Sequence, residues 1–233
     1  PASKFTMSDD NRLHLERRAK SQKLTSLAER LLPYKTAVGQ CYSNYKSTAS
    51  VLVCIFEGKE GDLRVLLTKR SSNLSTHAGE VSLPGGKTEE GDASYVDTAL
   101  REAEEEIGLK RHLVEVIAVL PPFFSKQGVK VVIVVGILHD KDAYCPLLNS
   151  AEVESLFDVP LEMFLKDQER TAQQQNSENG HFLMQFFNYT SGGEEYVIWG
   201  FTAGILIYVA SLVYGRSPEF EVRNPYFWKA PKL

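Results

Sequence analysis

The stretch from Leu83 to Leu109, LPGGKTEEGDASYVDTALREAEEEIGL, constrains this chain more than any other. Pro84-Gly85-Gly86 forms a turn whose missing side chains let backbone approach a neighbour closely. A helix is expected from about Ala93 to Ile107, because Val96, Ala99, Leu100, Ala103 and Ile107 fall on one stripe, the pattern of a helix packed on a sheet. Asp92 is the expected N-cap and Gly108 the expected terminator. The helix ends in four carboxylates within five positions, Glu102 and Glu104 to Glu106. At about 100° per residue, Glu102, Glu105 and Glu106 cluster beside the apolar stripe, and Glu104 lies about 160° from Glu102. Like charges at this spacing repel in water, and a divalent cation reverses the sign of that interaction.

The rest of the chain supplies a sheet for that helix. Ala49 to Phe56 and Leu63 to Thr68 read as two buried strands joined by a Gly-containing turn. Val114 to Leu120 and Val129 to Leu138 read as two more, bracketing an aromatic loop from Pro121 to Gly128. Val153 to Val159 is a short strand, followed by a helical turn from Pro160 to Leu165. Arg170 to Gly180 reads as a polar excursion. His181 to Tyr189 and Glu195 to Trp199 form a hairpin around Gly192-Gly193. Ile198 to Tyr214 is the most apolar run, yet it falls short of the ~20 residues that span a bilayer and reads as a buried helix closing the core. A further helix at Ser21 to Leu32, with Leu24, Leu27, Leu31 and Leu32 at helical spacing, ends before Pro33. The class is α/β (α+β), with an N-terminal arm over 1–48, a catalytic domain over 49–215 and a tail over 216–233.

Ordinary hydrophobic (43%) and charged (24%) shares suggest neither wholesale disorder nor a membrane protein. A net charge of -4 argues against a nucleic-acid platform, which needs a basic surface. Cys41, Cys54 and Cys145 are far apart and odd in number, so they are expected as reduced thiols in an intracellular compartment. No signal peptide is expected, since no apolar run follows the first basic residue. The terminal Pro-Lys-Leu is one residue from a peroxisomal address, and mitochondrial and cytosolic residence are equally open. Arg17, Arg18, Lys20 and Lys23 read as a solvated helix face.

Glutamate oxygens in this number suit Mg2+ or Mn2+, ions that share their coordination with substrate phosphates. Such a site activates water for attack on phosphorus. Arg101, one turn before Glu105, can hold a carboxylate in the ligating rotamer. A solvated acidic helix face is the competing reading of the same residues.

Arg101-Glu102-Ala103-x-Glu105-Glu106-x-Gly108-Leu109 matches every defined position of the second half of the Nudix box. The first half departs from it: eight residues, not seven, separate Asp92 from Arg101, and the upstream Glu is missing. That departure resembles the coenzyme A branch of the Nudix hydrolases, whose extra motif appears here as Leu66-Leu67-Thr68-Lys69-Arg70-Ser71, followed by Gly79 and Pro84-Gly85-Gly86. The wording is similar to plant members, and the resemblance runs from about Ala49 to Tyr214.

The resemblance implies a Nudix α/β/α sandwich with a mixed sheet. It also implies metal-dependent hydrolysis of the diphosphate in coenzyme A or acyl-CoA to adenosine 3',5'-bisphosphate and (acyl-)4'-phosphopantetheine. Glu102 and Glu106 would be the principal metal ligands, Glu105 a further ligand or water activator, and Arg101 the orienter. Lys69, Arg70, Ser71, Gly85 and Gly86 would meet the substrate. For Lys69 and Arg70 a strand-end salt bridge is the competing reading, and Glu80 is either a base or a structural partner. His77 reads as a surface residue. Phe123 and Phe124 either stack on adenine or plug a core edge. The partners implied are small molecules, coenzyme A and its thioesters, and a homodimer is open. The alternatives are a Nudix pyrophosphohydrolase for ADP-ribose, NADH or FAD, and a non-catalytic nucleotide-sensing module.

Overall fold

A computed structural model describes residues 21–39, 47–125, 128–177, 180–225 and 228. Cys41, the basic residues Arg17, Arg18 and Lys20, Lys126 in the aromatic loop and the terminal Pro-Lys-Leu lie outside the described residues. Ten strands and three α-helices order the described chain: α1 (Gln22–Leu31), β1 (Thr48–Glu57), β2 (Leu63–Arg70), β3 (Val81–Ser82), β4 (Gly85–Lys87), α2 (Tyr95–Ile107), β5 (Val114–Phe124), β6 (Lys130–Leu138), β7 (Val153–Pro160), β8 (Arg170–Ser177), β9 (Gly180–Ser191), β10 (Glu194–Trp199) and α3 (Gly200–Tyr214).

The main sheet runs β3-β2-β1-β6-β5, with β4 added to β1 and β7 to β2. It is mixed, because β1 and β6 are parallel and their neighbours antiparallel. The pleat sends successive side chains to opposite faces, and both faces are covered. From β1, Leu52, Cys54 and Phe56 face α2, while Val53 and Ile55 face the layer that holds α1 and α3. These five side chains are almost fully buried, which explains why the strand reads as a continuous apolar run. The result is the α/β/α sandwich that the family resemblance implies. Each fully buried Leu, Val or Ile contributes roughly 1.5–3 kcal/mol relative to exposure.

The apolar stripes place the helices as expected. In α2, Ala99, Leu100, Ala103 and Ile107 are buried. In α1, Leu24, Leu27 and Leu31 are buried but Leu32 is exposed, because the helix ends at Leu31 and a 3-10 turn begins. The apolar run after Trp199 is the buried α3, and among the described residues no helix is long and apolar enough to cross a membrane. The β9–β10 turn uses Gly192 and Gly193 at φ 58° and 86°, the backbone a two-residue hairpin loop demands. Cys54 is buried and free, its thiol pushed up to about 12 by burial, and Cys145 is free and exposed.

Three expectations fail. The segment from Pro121 to Phe124 is not loop but the end of β5. The register with β6 skips between Leu120 and Phe123, so both prolines sit in an irregularity where their missing N–H groups are not needed. Arg170 to Ser177 is a strand, β8, at the edge of a three-stranded sheet β10-β9-β8. Its residues are exposed on both faces, so no apolar alternation announces it. Asp92 is not the cap of α2. The helix starts later, and the Ser94 hydroxyl accepts from the Asp97 N–H at 3.2 Å and donates to the Asp97 carboxylate at 2.7 Å. Ser94-x-x-Asp97 is a capping-box pattern that the sequence did carry.

Candidate active site

The Gly85-Gly86 turn becomes β4, pressed against β1 with Gly85 opposite Val51 and Gly86 opposite Ser50. A Cβ on Gly85 would stand 2.3 Å from the Ser50 carbonyl oxygen, and its φ is 153°, so no other residue fits without moving backbone. A Cβ on Gly86 would stand 2.3 Å from Glu102 Oε1. The two glycines thus make room for different things, the first for the sheet and the second for a carboxylate of α2.

Glu106 is buried and accepts the Gly85 N–H at 3.1 Å, with Arg70 Nη1 3.7 Å away. Burial pushes its carboxyl up to about 7; Glu102 and Glu152 add to the rise, while the Gly85 N–H and Arg70 oppose it. Glu102 is also raised, chiefly by burial, with Arg101 opposing. Arg70 carries a buried Nε without a hydrogen-bond partner. An uncompensated donor beside a buried carboxylate is an arrangement that an anionic ligand completes.

Arg101 ties the acidic groups together. Its Nε and Nη2 reach Asp92 at 2.9 and 3.1 Å, its Nη1 reaches Glu105 at 2.9 Å, and its Nη2 lies 3.1 Å from Glu102. The Arg101 bonds, with the Glu89 N–H and the Thr98 hydroxyl, hold the Asp92 carboxyl down to about 2. Asp92 is therefore the fixed counter-ion that orients Arg101. Glu105 is half-exposed, and Glu104 turns away to pair with Lys110 at 2.8 Å. Among the described residues no three His, Cys, Asp or Glu side chains form a ready metal cage, since Arg101 draws Glu105 and Glu102 while Glu106 turns to Gly85. The donor set still fits a hard cation: oxygen ligands only, two of them shielded from water, with charge that a divalent ion neutralises.

Beside these carboxylates lies a cleft of about 510 Å³ lined by Arg70, His77, Glu80, Gly85, Gly86 and a wall of apolar residues. Glu80 meets His77 Nδ1 at 2.9 Å, and His77 holds a left-handed φ of 56°. Lys69 and Ser71 are not among the cleft-lining residues. Lys69 pairs with Glu154 on β7, and the Ser71 hydroxyl accepts the Asn73 N–H at 3.3 Å. Phe123 is buried against Phe201, Tyr208 and Trp228, so it plugs the core, the second of its two readings.

Glu152 was missed by sequence reasoning. The Ser71 N–H donates to its carbonyl at 2.8 Å and Asn149 N–H to the Glu106 carbonyl at 2.9 Å, which pins the loop before β7 over the end of α2. Its negative charge reaches both Glu102 and Glu106. No local spacing links position 152 to 106, so only a Glu directly before an apolar strand was there to be noticed.

The Glu106 carboxyl titrates near the ordinary value of 4.5 when unfolded and about 7 when folded, so above 4.5 the native state holds a proton that the unfolded chain has released. Stability of the metal-free protein is fully present below 4.5 and declines as pH rises through 7, by about 3 kcal/mol on the scale of 1.36 kcal/mol per unit. Urea unfolding of chelator-treated protein at pH 5 and pH 8 checks this against Glu106→Gln, whose decline should be smaller by that amount; equal declines would refute it.

Comparison with known proteins identifies the family. Residues 46–180 match the family profile described as NUDIX domain. The chain is 55% identical over 185 residues to Nudix hydrolase 15, mitochondrial, and 55% identical over 177 residues to Nudix hydrolase 22, chloroplastic, both of Arabidopsis thaliana. Those alignments cover 79% and 76% of this chain but 65% and 59% of the relatives, so the chain spans less than two thirds of their length. It is 37% identical over 191 residues to the mouse (Mus musculus) peroxisomal coenzyme A diphosphatase NUDT7, covering 81% of this chain and 80% of that protein. With the domain match extending over more than half of its residues, the chain belongs to the Nudix hydrolase family.

Proposed function

We propose that this chain hydrolyses the diphosphate of coenzyme A and acyl-CoA, giving adenosine 3',5'-bisphosphate and (acyl-)4'-phosphopantetheine, through the unit over residues 49–215. The observation that carries the reading is Arg70, from the Leu66 to Ser71 motif, placed in the cleft with an unpaired buried Nε and 3.7 Å from Glu106. Likeness to a mouse coenzyme A diphosphatase supports the same substrate.

Glu102 and Glu106 would hold Mg2+ or Mn2+, with Glu105 as a further ligand or water activator. When bound, the ion neutralises charge that develops on the diphosphate and lowers the pKa of coordinated water. The chain's own groups do the rest. Gly85 N–H and Arg70 fix the Glu106 carboxylate, and Arg101, held by Asp92, fixes Glu105 and Glu102. Arg70 receives a phosphate oxygen, and Glu80, oriented by His77, stands in the same cleft as the second candidate base. Lys69, paired with Glu154, keeps only an outer role in attracting the substrate's phosphates.

The test is a comparison of kcat/KM for coenzyme A, ADP-ribose, NADH and FAD with Mg2+ or Mn2+. Coenzyme A is expected to be the best of the four, with both bisphosphate and phosphopantetheine products identified by mass. Turnover of ADP-ribose at an equal or higher kcat/KM would overturn the substrate assignment.

A further inference from the structure

The cleft beside Arg70 has one wall that the diphosphate chemistry leaves unused. It is built from Val51, Val131, Met184, Trp199, Phe201 and Trp228. Trp228 comes from beyond α3 and is only 6% exposed. Its ring lies 5.9 Å from Phe123, tilted, and 5.4 Å from Phe201, edge to face. It can sit there because α3 carries Gly204 beneath it: a Cβ at that position would stand 2.3 Å from Trp228 Cζ3 and 2.8 Å from Cη2. An otherwise apolar helix therefore gives up a side chain to seat one indole, at a position where φ makes no demand for glycine.

The wall suits a chain of methylenes better than a base. A purine needs hydrogen-bond partners along its edge, whereas the Thr202 hydroxyl is already committed to the Val81 carbonyl at 3.1 Å. Stacking needs a free ring face, but the Trp228 indole is packed against its neighbours and the more exposed Trp199 ring is already stacked on Phe186. A pocket lined by aliphatic and aromatic groups beside a few charged ones takes a ligand with a polar reacting group and an apolar extension.

We propose that Trp228, seated on Gly204, is the residue that limits the length of the acyl group this cleft accepts. The inference rests on the coenzyme A reading above. The indole closes the apolar space, so short thioesters fit and long ones meet the ring.

The experiment measures kcat/KM for acetyl-, hexanoyl- and dodecanoyl-CoA with the whole chain and with Trp228→Ala, Trp228→Phe and Gly204→Ala. Opening one hydrophobic wall should raise the dodecanoyl to acetyl ratio about tenfold in Trp228→Ala, with Trp228→Phe between that and the parent. Gly204→Ala should move the ratio in the same direction, because the added methyl pushes the indole from its seat. An unchanged ratio in the variants that fold, or an equal loss on all three thioesters, overturns the inference and leaves the coenzyme A reading standing. A parent protein that prefers ADP-ribose to every thioester overturns that reading, and the acyl limit with it.

Discussion

Replacing Glu106 by glutamine is expected to lower kcat by about three orders of magnitude while leaving the protein as stable as the parent, or more so. The rate effect follows from charge. Several kcal/mol of transition-state stabilisation depends on a carboxylate that can hold a divalent cation, and each ~1.4 kcal/mol is a factor of ten. Glutamine keeps the shape and can still accept the Gly85 N–H, so the 3.1 Å bond that joins α2 to β4 survives. The stability effect follows from burial. Above pH 7 the parent carboxylate is ionised in a place where burial disfavours the charge, and the amide removes that cost. Steady-state kinetics and urea unfolding at pH 8 check both halves. Near-normal turnover would remove Glu106 from the proposed metal site, and a large loss of stability would assign it to the fold instead.

Gly85→Ala is expected to cost about 2–4 kcal/mol of stability and to lower activity well beyond what the unfolded fraction explains. The added Cβ meets the Ser50 carbonyl at 2.3 Å and Val51 Cα at 2.7 Å, and neither is the movable end of a side chain. Relief requires β4 to leave β1, which takes the Gly85 N–H away from Glu106. Groups that orient a metal ligand, the role proposed for Glu106, are typically worth 10- to 100-fold, roughly the size of the residual rate loss expected. Gly86→Ala provides the contrast. The three atoms nearest its Cβ all belong to the end of the Glu102 side chain, which can swing aside, so stability should hold while the carboxylate is displaced and activity falls. Thermal unfolding and kcat of the two variants, measured side by side, distinguish them; equal melting temperatures would refute the separate roles of the glycines.

The capping error at Asp92 shows how the site was partly hidden. A carboxylate shortly before a helix is a good cap by local rules, and Asp92 has that position. Its true partner, Arg101, is nine residues on. Only the folded path of residues 87–94 brings the two within 2.9 Å. Lys69 and Arg70 make the same point. Both are cations in one motif, but neighbours on a strand point to opposite faces, so one finds Glu154 and the other Glu106.

What the sequence determined by itself was whatever depends on periodicity and fixed local spacing. Apolar runs specified the buried strands, the stripe on α2 specified its sheet-facing side, and the spacing from Arg101 to Leu109 specified the family and its acidic residues. What only the tertiary structure decided was whatever depends on meetings between distant segments. These were the strand carried through Pro121-Pro122 by a register irregularity, the polar β8 held by ladder bonds to β9, Glu152 brought over α2, and Trp228 seated on Gly204. The reason is physical. Local propensity and side-chain period act over a few residues, whereas a long-range contact is selected by packing, and packing leaves no regular mark on the order of residues.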